Sequence, residues 1–142
     1  MQSQEIGDRI AITELMSTYA NALSTREWAQ WRATFAEGAH ADYSANFGPD
    51  GTVDDAVAWL EPMLASMDLF LSQATNTVVT FVDADNATVK SMFQATMRFA
   101  AADADSQPMY VTAQGFYHDT VARTAAGWKL TERVEVPVYT RM

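Results

Sequence analysis

Cysteine is absent from the 142 residues, so no disulfide can staple the chain and no thiolate can hold a metal. Histidine occurs only twice, at His40 and His118. That leaves scattered carboxylates as ligands, and neither a metal site nor a cofactor is expected. Basic residues are scarce, 9 against 18 acidic, and the net charge of −9 repels phosphate backbones and anionic lipid heads. Neither nucleic acid nor a membrane is therefore an expected partner. No apolar run approaches the roughly 20 residues that span a bilayer, and MQSQEIGDRI lacks a basic stretch followed by an apolar one. A soluble, cytoplasmic protein is the expectation. No repeat, low-complexity tract or linker divides the chain, and a hydrophobic fraction of 49% is enough for one core.

Apolar residues recur at helical spacing from Ile6 through Ile10, Thr13, Met16, Tyr19 and Leu23, which predicts a long first helix. Trp28, Trp31 and Phe35 then lie three and four residues apart and predict a second helix over Arg26 to Phe35. Residues Ala39 to Asn46 read as a strand, and Gly48, Pro49 and Gly51 supply a turn. Thr52 and Asp55 approximate a capping box for a third helix starting at Val53, with Pro62 expected to kink or break it near Glu61. The second half changes texture. Runs rich in β-branched and aromatic residues, Thr75 to Asp83, Thr88 to Ala102, Met109 to Arg123 and Trp128 to Tyr139, predict four antiparallel strands. Helices followed by a meander of long strands is an α+β layout, in which a curved sheet closes over the helices and leaves a cavity.

Several segments carry a family resemblance: the helix ending YANAL, the passage FAEGAHADY, the hairpin TNTVVTFVDADNATV, and GFYHDTVARTAAGWKL. In their order and spacing the chain resembles the SnoaL-like branch of the nuclear transport factor 2-like superfamily, over roughly residues 5 to 136. The resemblance implies a single SnoaL-like domain over residues 1–142, a cone-shaped, curved, mainly antiparallel sheet packed over three N-terminal helices, in a cystatin-like layout. It also implies an apolar pocket for a small hydrophobic molecule. Its dehydratase-like and dehydrochlorinase-like members use an aspartate after the first helix to orient a proton-abstracting histidine. The matching positions here are Ser24 and Ser72, and a serine hydroxyl is no general base near neutral pH without a neighbour to activate it. The tyrosine that holds a substrate carbonyl in the dehydratases is retained as Tyr43; a second dehydratase histidine is replaced by Phe93, and Thr112 and Gln114 stand near a serine and an asparagine of that subgroup.

The expected pocket residues are therefore Tyr19, Ser24, Tyr43, Ser72, Asn76, Phe93, Met97, Thr112, Gln114 and His118. For Tyr19 and Tyr43 the alternative is a core aromatic with a bonded hydroxyl, and for Asn76 a structural role at the hairpin entrance. His118 shares parity with Thr112, Gln114 and Phe116, which puts it near one end of the cavity, whereas His40 faces outward if Tyr43 faces in. In the cluster Glu132, Arg133 and Glu135, a single bulge decides which side chain points inward. A carboxylate such as Glu132, turned toward apolar walls, would have a raised pKa and could act as a base. Met63, Met67, Met92, Met97 and Met109 supply a compliant lining. Along Thr88 to Ala102, Ser91, Phe93, Ala95, Met97 and Phe99 are expected on the cavity side, with Lys90, Met92, Gln94, Thr96 and Arg98 on a face suited to a homodimer or homotrimer. Two functions remain open. One is a cofactor-independent lyase, isomerase or cyclase acting by proton transfer on a hydrophobic cyclic or polyketide-type substrate; the other is a non-catalytic ligand-binding or assembly module that has lost the Asp-His pair.

Overall fold

The first helical stretch forms α1, Ser3–Thr25, in the computed structural model, which describes residues 2–142. Its buried face is Ile12, Leu15, Met16, Tyr19 and Leu23. Ile6 and Ile10, expected in the same stripe, are exposed. At about 100° per residue Ile10 lies on the opposite side of the helix from Tyr19, so the two cannot share a core face. The helix stops at Arg26, whose backbone turns left-handed (φ 60°) while its guanidinium donates to the Met67 carbonyl at 2.7 Å. α2 is a single turn and a half, Trp28–Arg32, shorter than expected because Phe35 already begins β1, Phe35–Asp42.

A short 3-10 turn, Ser44–Asn46, and β2, Asp50–Thr52, lead into α3, Val53–Ala65. The capping box forms as its sequence requires: the Thr52 hydroxyl accepts the Asp55 N–H at 3.1 Å, and the Asp55 carboxylate accepts the Thr52 N–H at 3.0 Å. No break occurs at Glu61, and the helix continues through Pro62 to Ala65. Pro62 stands in the last turn, where its missing N–H removes one hydrogen bond and leaves the turns before it intact. Val57, Leu60 and Leu64 turn inward.

The remaining chain is a meander of long strands: β3, Met67–Phe81; β4, Asn86–Phe99; β5, Met109–Thr124; β6, Gly127–Arg141. Together the strands make one six-stranded sheet in the order β2-β1-β6-β5-β4-β3, antiparallel everywhere except between β1 and β6, which run parallel. Register shifts bend it: β3 carries an extra residue near Asn76 (φ 55°), and β6 carries extra residues at Thr131 and Val138. At Gly115 the strands come so close that a Cβ would sit 2.3 Å from the Val136 carbonyl oxygen and 2.9 Å from the Phe93 ring. The curved sheet wraps α1 and α3, and a single apolar cluster runs from Ile12 and Tyr19 through Leu60 and Phe93 to Leu130. This is an α+β cone. Among the described residues, no helix is long and apolar enough to cross a membrane.

Candidate functional site

A cavity of about 340 Å³ opens between α1, α3 and the inner face of β3 to β6. Most of its wall is apolar: Met63, Met67, Phe70, Phe93, Met97 and Phe99 come from α3, β3 and β4, where strand alternation directs them inward. Against this lining a polar cluster is set, made of Tyr19, Tyr43, Asn46, Tyr117 and Glu135.

The cluster follows from the β5–β6 register. Trp128 and Leu130 face the core, and a regular strand would next turn Glu132 inward. The extra residue at Thr131 reverses the pleat, so Arg133 and Glu135 point in and Glu132 points out. The ladder then seats Glu135 opposite Tyr117 and Arg133 opposite Asp119. Arg133 is bound side-on by both Asp119 oxygens, each at 2.8 Å, with both residues buried. From the helix side, Tyr19 and Tyr43 share a hydrogen bond between their hydroxyls deep in the interior. Two hydroxyls carry two protons and their mutual bond uses one, which leaves the other for a ligand oxygen.

Glu135 is 7% exposed and its Oε1 has no hydrogen-bond partner. Burial pushes its carboxyl up to about 7, against the Asn46 side chain and the Arg133 guanidinium, which pull it down. Burial likewise raises the Tyr19 and Tyr43 phenols, with Arg133 opposing, so both remain protonated donors at neutral pH. A buried carboxylate with a free oxygen, poised near neutrality beside hydroxyl donors, can accept a proton from a bound molecule and return it elsewhere.

This arrangement makes stability depend on pH. The folded state keeps the Glu135 proton up to about pH 7, whereas the unfolded chain releases it near 4.5. The folded state is therefore favoured most at low pH, and that contribution, about 3 kcal/mol, is lost as the pH rises from 4.5 through 7. Urea melts of Glu135→Gln and wild type should agree near pH 4.5 and diverge above pH 7, where the variant should be the more stable by about that amount. Equal stability at pH 8 would contradict the raised pKa.

Of the residues expected at the pocket, Tyr19, Tyr43, Ser72, Phe93 and Met97 stand on its wall. Ser24 does not. Its hydroxyl donates to the Ala20 carbonyl and accepts the Ser72 N–H, both at 2.8 Å, fastening the end of α1 to edge strand β3. Ser24→Ala should cost about 1 kcal/mol in a denaturant melt, and Ser72→Ala, which keeps that N–H, should cost less. Asn76 lies at the β3 bulge, exposed, with its amide donating to the Met92 sulfur at 3.1 Å. Thr112, Gln114 and His118 sit on the outer face, a correction to the expected parity. Gly115 pairs with inward Phe93 and Ala113 with Ala95, so the odd-numbered residues of β5 face the cavity. Met92 is likewise on the outer face, and Met142 joins the lining instead.

Tyr117, Asp119 and the inward turn of Arg133 and Glu135 are what the sequence reading missed. A signal for β5 exists: Val111, Ala113, Gly115, Tyr117 and Val121 are the less polar alternate set. His40 does face outward, but it has acidic partners, bonding Asp50 across the β1–β2 pair and lying 3.6 Å from Glu132 across β1–β6. Burial disfavours its cation, yet the two carboxylates outweigh burial and hold its pKa above the usual value. Among the described residues no three His, Asp or Glu side chains group to hold a metal.

The sequence profile of the SnoaL-like domain matches residues 4–134. The uncharacterised protein Rv2910c of Mycobacterium tuberculosis is 30% identical over 138 residues, covering 97% of this chain and 90% of its own. Among solved structures, the Kfla4162 protein of Kribbella flavida superposes with a TM-score of 0.86 at 26% identity, over 96% of this chain and 95% of its own. A candidate scytalone dehydratase from Novosphingobium aromaticivorans superposes with a TM-score of 0.85 at 24% identity, over 99% of this chain and 91% of its own, a likeness of fold.

Proposed function

The chain belongs to the SnoaL-like domain family, and on that premise we propose that it is a cofactor-independent isomerase or lyase that moves a proton on a small, uncharged, largely apolar cyclic carbonyl compound. The observation that carries this reading is Glu135, a carboxylate with an unpartnered oxygen on the wall of an apolar cavity. With the substrate carbonyl oxygen at the Tyr19–Tyr43 pair, Glu135 Oε1 takes a proton from the adjacent carbon. That C–H bond breaks, an O–H bond forms on Glu135, and the electron pair moves onto the carbonyl oxygen as an enolate held by the tyrosine hydroxyl. Return of the proton to a different carbon isomerises the substrate; its delivery to a departing hydroxyl releases water. Both outcomes use one carboxyl group and need no Asp-His pair, in keeping with Ser24 and Ser72 at those positions.

The test is α-proton exchange. Cyclic ketones sized for the cavity are incubated with the protein in D2O and followed by proton NMR. Exchange well above the protein-free rate is expected for ketones that bind. Binding without exchange across the panel would overturn the catalytic reading and leave the ligand-binding module, whose supporting feature is the same apolar cavity.

The reading includes a homodimer or homotrimer. The outer sheet face exposes Leu71, Val78, Tyr110 and Tyr139, an apolar surface that a second copy would cover. Light scattering at micromolar concentration should return two or three times the 15.7 kDa chain mass, and a clean monomer would refute it.

A further inference from the structure

Arg133 is 1% exposed, and its guanidinium carbon lies 3.7 Å from the centre of the Tyr117 ring and 4.1 Å from that of Tyr19. The cation thus lies in the angle between two phenol rings, inclined at 69° to each other, over a face of each, and both rings line the cavity. Asp119 binds the guanidinium along its Nε–Nη2 edge, which fixes the group where it meets both rings. Stability alone does not explain the arrangement, because a buried ion pair is often no better than well-packed apolar residues of the same volume. Its chemical consequence does. A cation on a ring face draws π density from the ring, which strengthens the O–H as a donor and favours negative charge on whatever oxygen it bonds.

We propose that Arg133 is a positioning residue that tunes the Tyr19 and Tyr117 hydroxyls for an anionic oxygen, so that the cavity holds the ionised form of a planar phenol or enol in preference to its neutral form. The proposal rests on the role assigned to Glu135, which stands opposite Tyr117 across the β5–β6 ladder. On binding, the ligand O–H bond breaks and its proton forms an O–H bond on Glu135 Oε1. The charge remains on the ligand oxygen beneath the tyrosine hydroxyls, and no proton is exchanged with solvent.

The probe is 4-nitrophenol, whose neutral and ionised forms absorb at different wavelengths, added to the full chain at pH 7, where part of Glu135 is ionised and able to accept a proton, with 4-nitrotoluene as a neutral companion of the same shape. Wild type should bind the phenol and shift its spectrum to the ionised form. In Arg133→Lys, which keeps a charge but loses the two-pronged bond to Asp119 that holds it over the rings, the ratio of ionised to neutral bound probe should fall about tenfold, with nitrotoluene affinity changed less than about threefold. Tyr117→Phe preserves the ring stack and removes one hydroxyl, and should show a comparable fall even if Arg133→Lys does not fold. An unchanged ionised fraction in either folded variant, or failure of the wild type to bind or ionise the phenol, would overturn the proposal. Loss of ionisation in Glu135→Gln together with full retention in Arg133→Lys would leave Glu135 as the proton acceptor and reject Arg133 alone.

Discussion

Glu135→Gln is expected to lower catalysed α-proton exchange by about 10²- to 10⁴-fold, the range that a positioned general base contributes. The amide has the shape of the carboxyl but cannot take up a proton. It still fills the space beside Tyr117 and Asn46, so the cavity and its apolar walls persist. Affinity for a neutral ketone should change by less than about threefold, which places the loss in the chemical step rather than in binding. Exchange kinetics by NMR on the two proteins, with dissociation constants measured in parallel, separate these effects. Exchange within about threefold of wild type would remove Glu135 from the reaction.

Asp119→Ala is expected to cost roughly 3–5 kcal/mol, because it leaves the Arg133 guanidinium buried without a counter-charge. Glu135, the other carboxylate that feels Arg133, makes no hydrogen bond to it: Arg133 Nη1 is unpartnered, and among the described residues the other hydrogen-bond acceptor of Nη2 is the Met16 sulfur at 3.1 Å. Replacing both partners, Asp119→Leu with Arg133→Met, should recover most of that loss, since apolar residues of similar volume suit the interior around Met16 and Tyr19. Urea denaturation of the single and double variants tests the pair. A single variant within about 1 kcal/mol of wild type would show that the ion pair is not what holds Arg133 in place.

Element order was legible in the sequence because it depends on periodicity and punctuation over many residues. Thr52 and Asp55 announce α3, and the β-branched runs with their Asp, Asn and Gly turns announce the meander. The inward set of β4 was legible too, since Phe93, Ala95 and Met97 alternate with Lys90, Gln94 and Arg98. Parity failed in β5, where Phe116 and His118 suggested a polar cavity end and one residue of shift moved Thr112, Gln114 and His118 to the outer face. In β6 the decisive event is the extra residue at Thr131, which has no glycine or proline to mark it. A bulge of that kind is fixed by the β5 ladder on one side and the parallel β1 on the other. These are tertiary constraints, and they decide whether Glu132 or Glu135 meets the cavity. The family positions Ser24 and Ser72 drew attention to the α1–β3 junction, while the carboxylate that faces the cavity, Glu135, lies on the β5–β6 ladder.

The most direct test of the account is the titration of Glu135 itself, by carbon-13 NMR of glutamate side-chain carboxyls, with the resonance assigned by its absence from Glu135→Gln. An apparent pKa of about 7 is expected; titration near 4.5, the value of an ordinary solvated glutamate, would contradict the account.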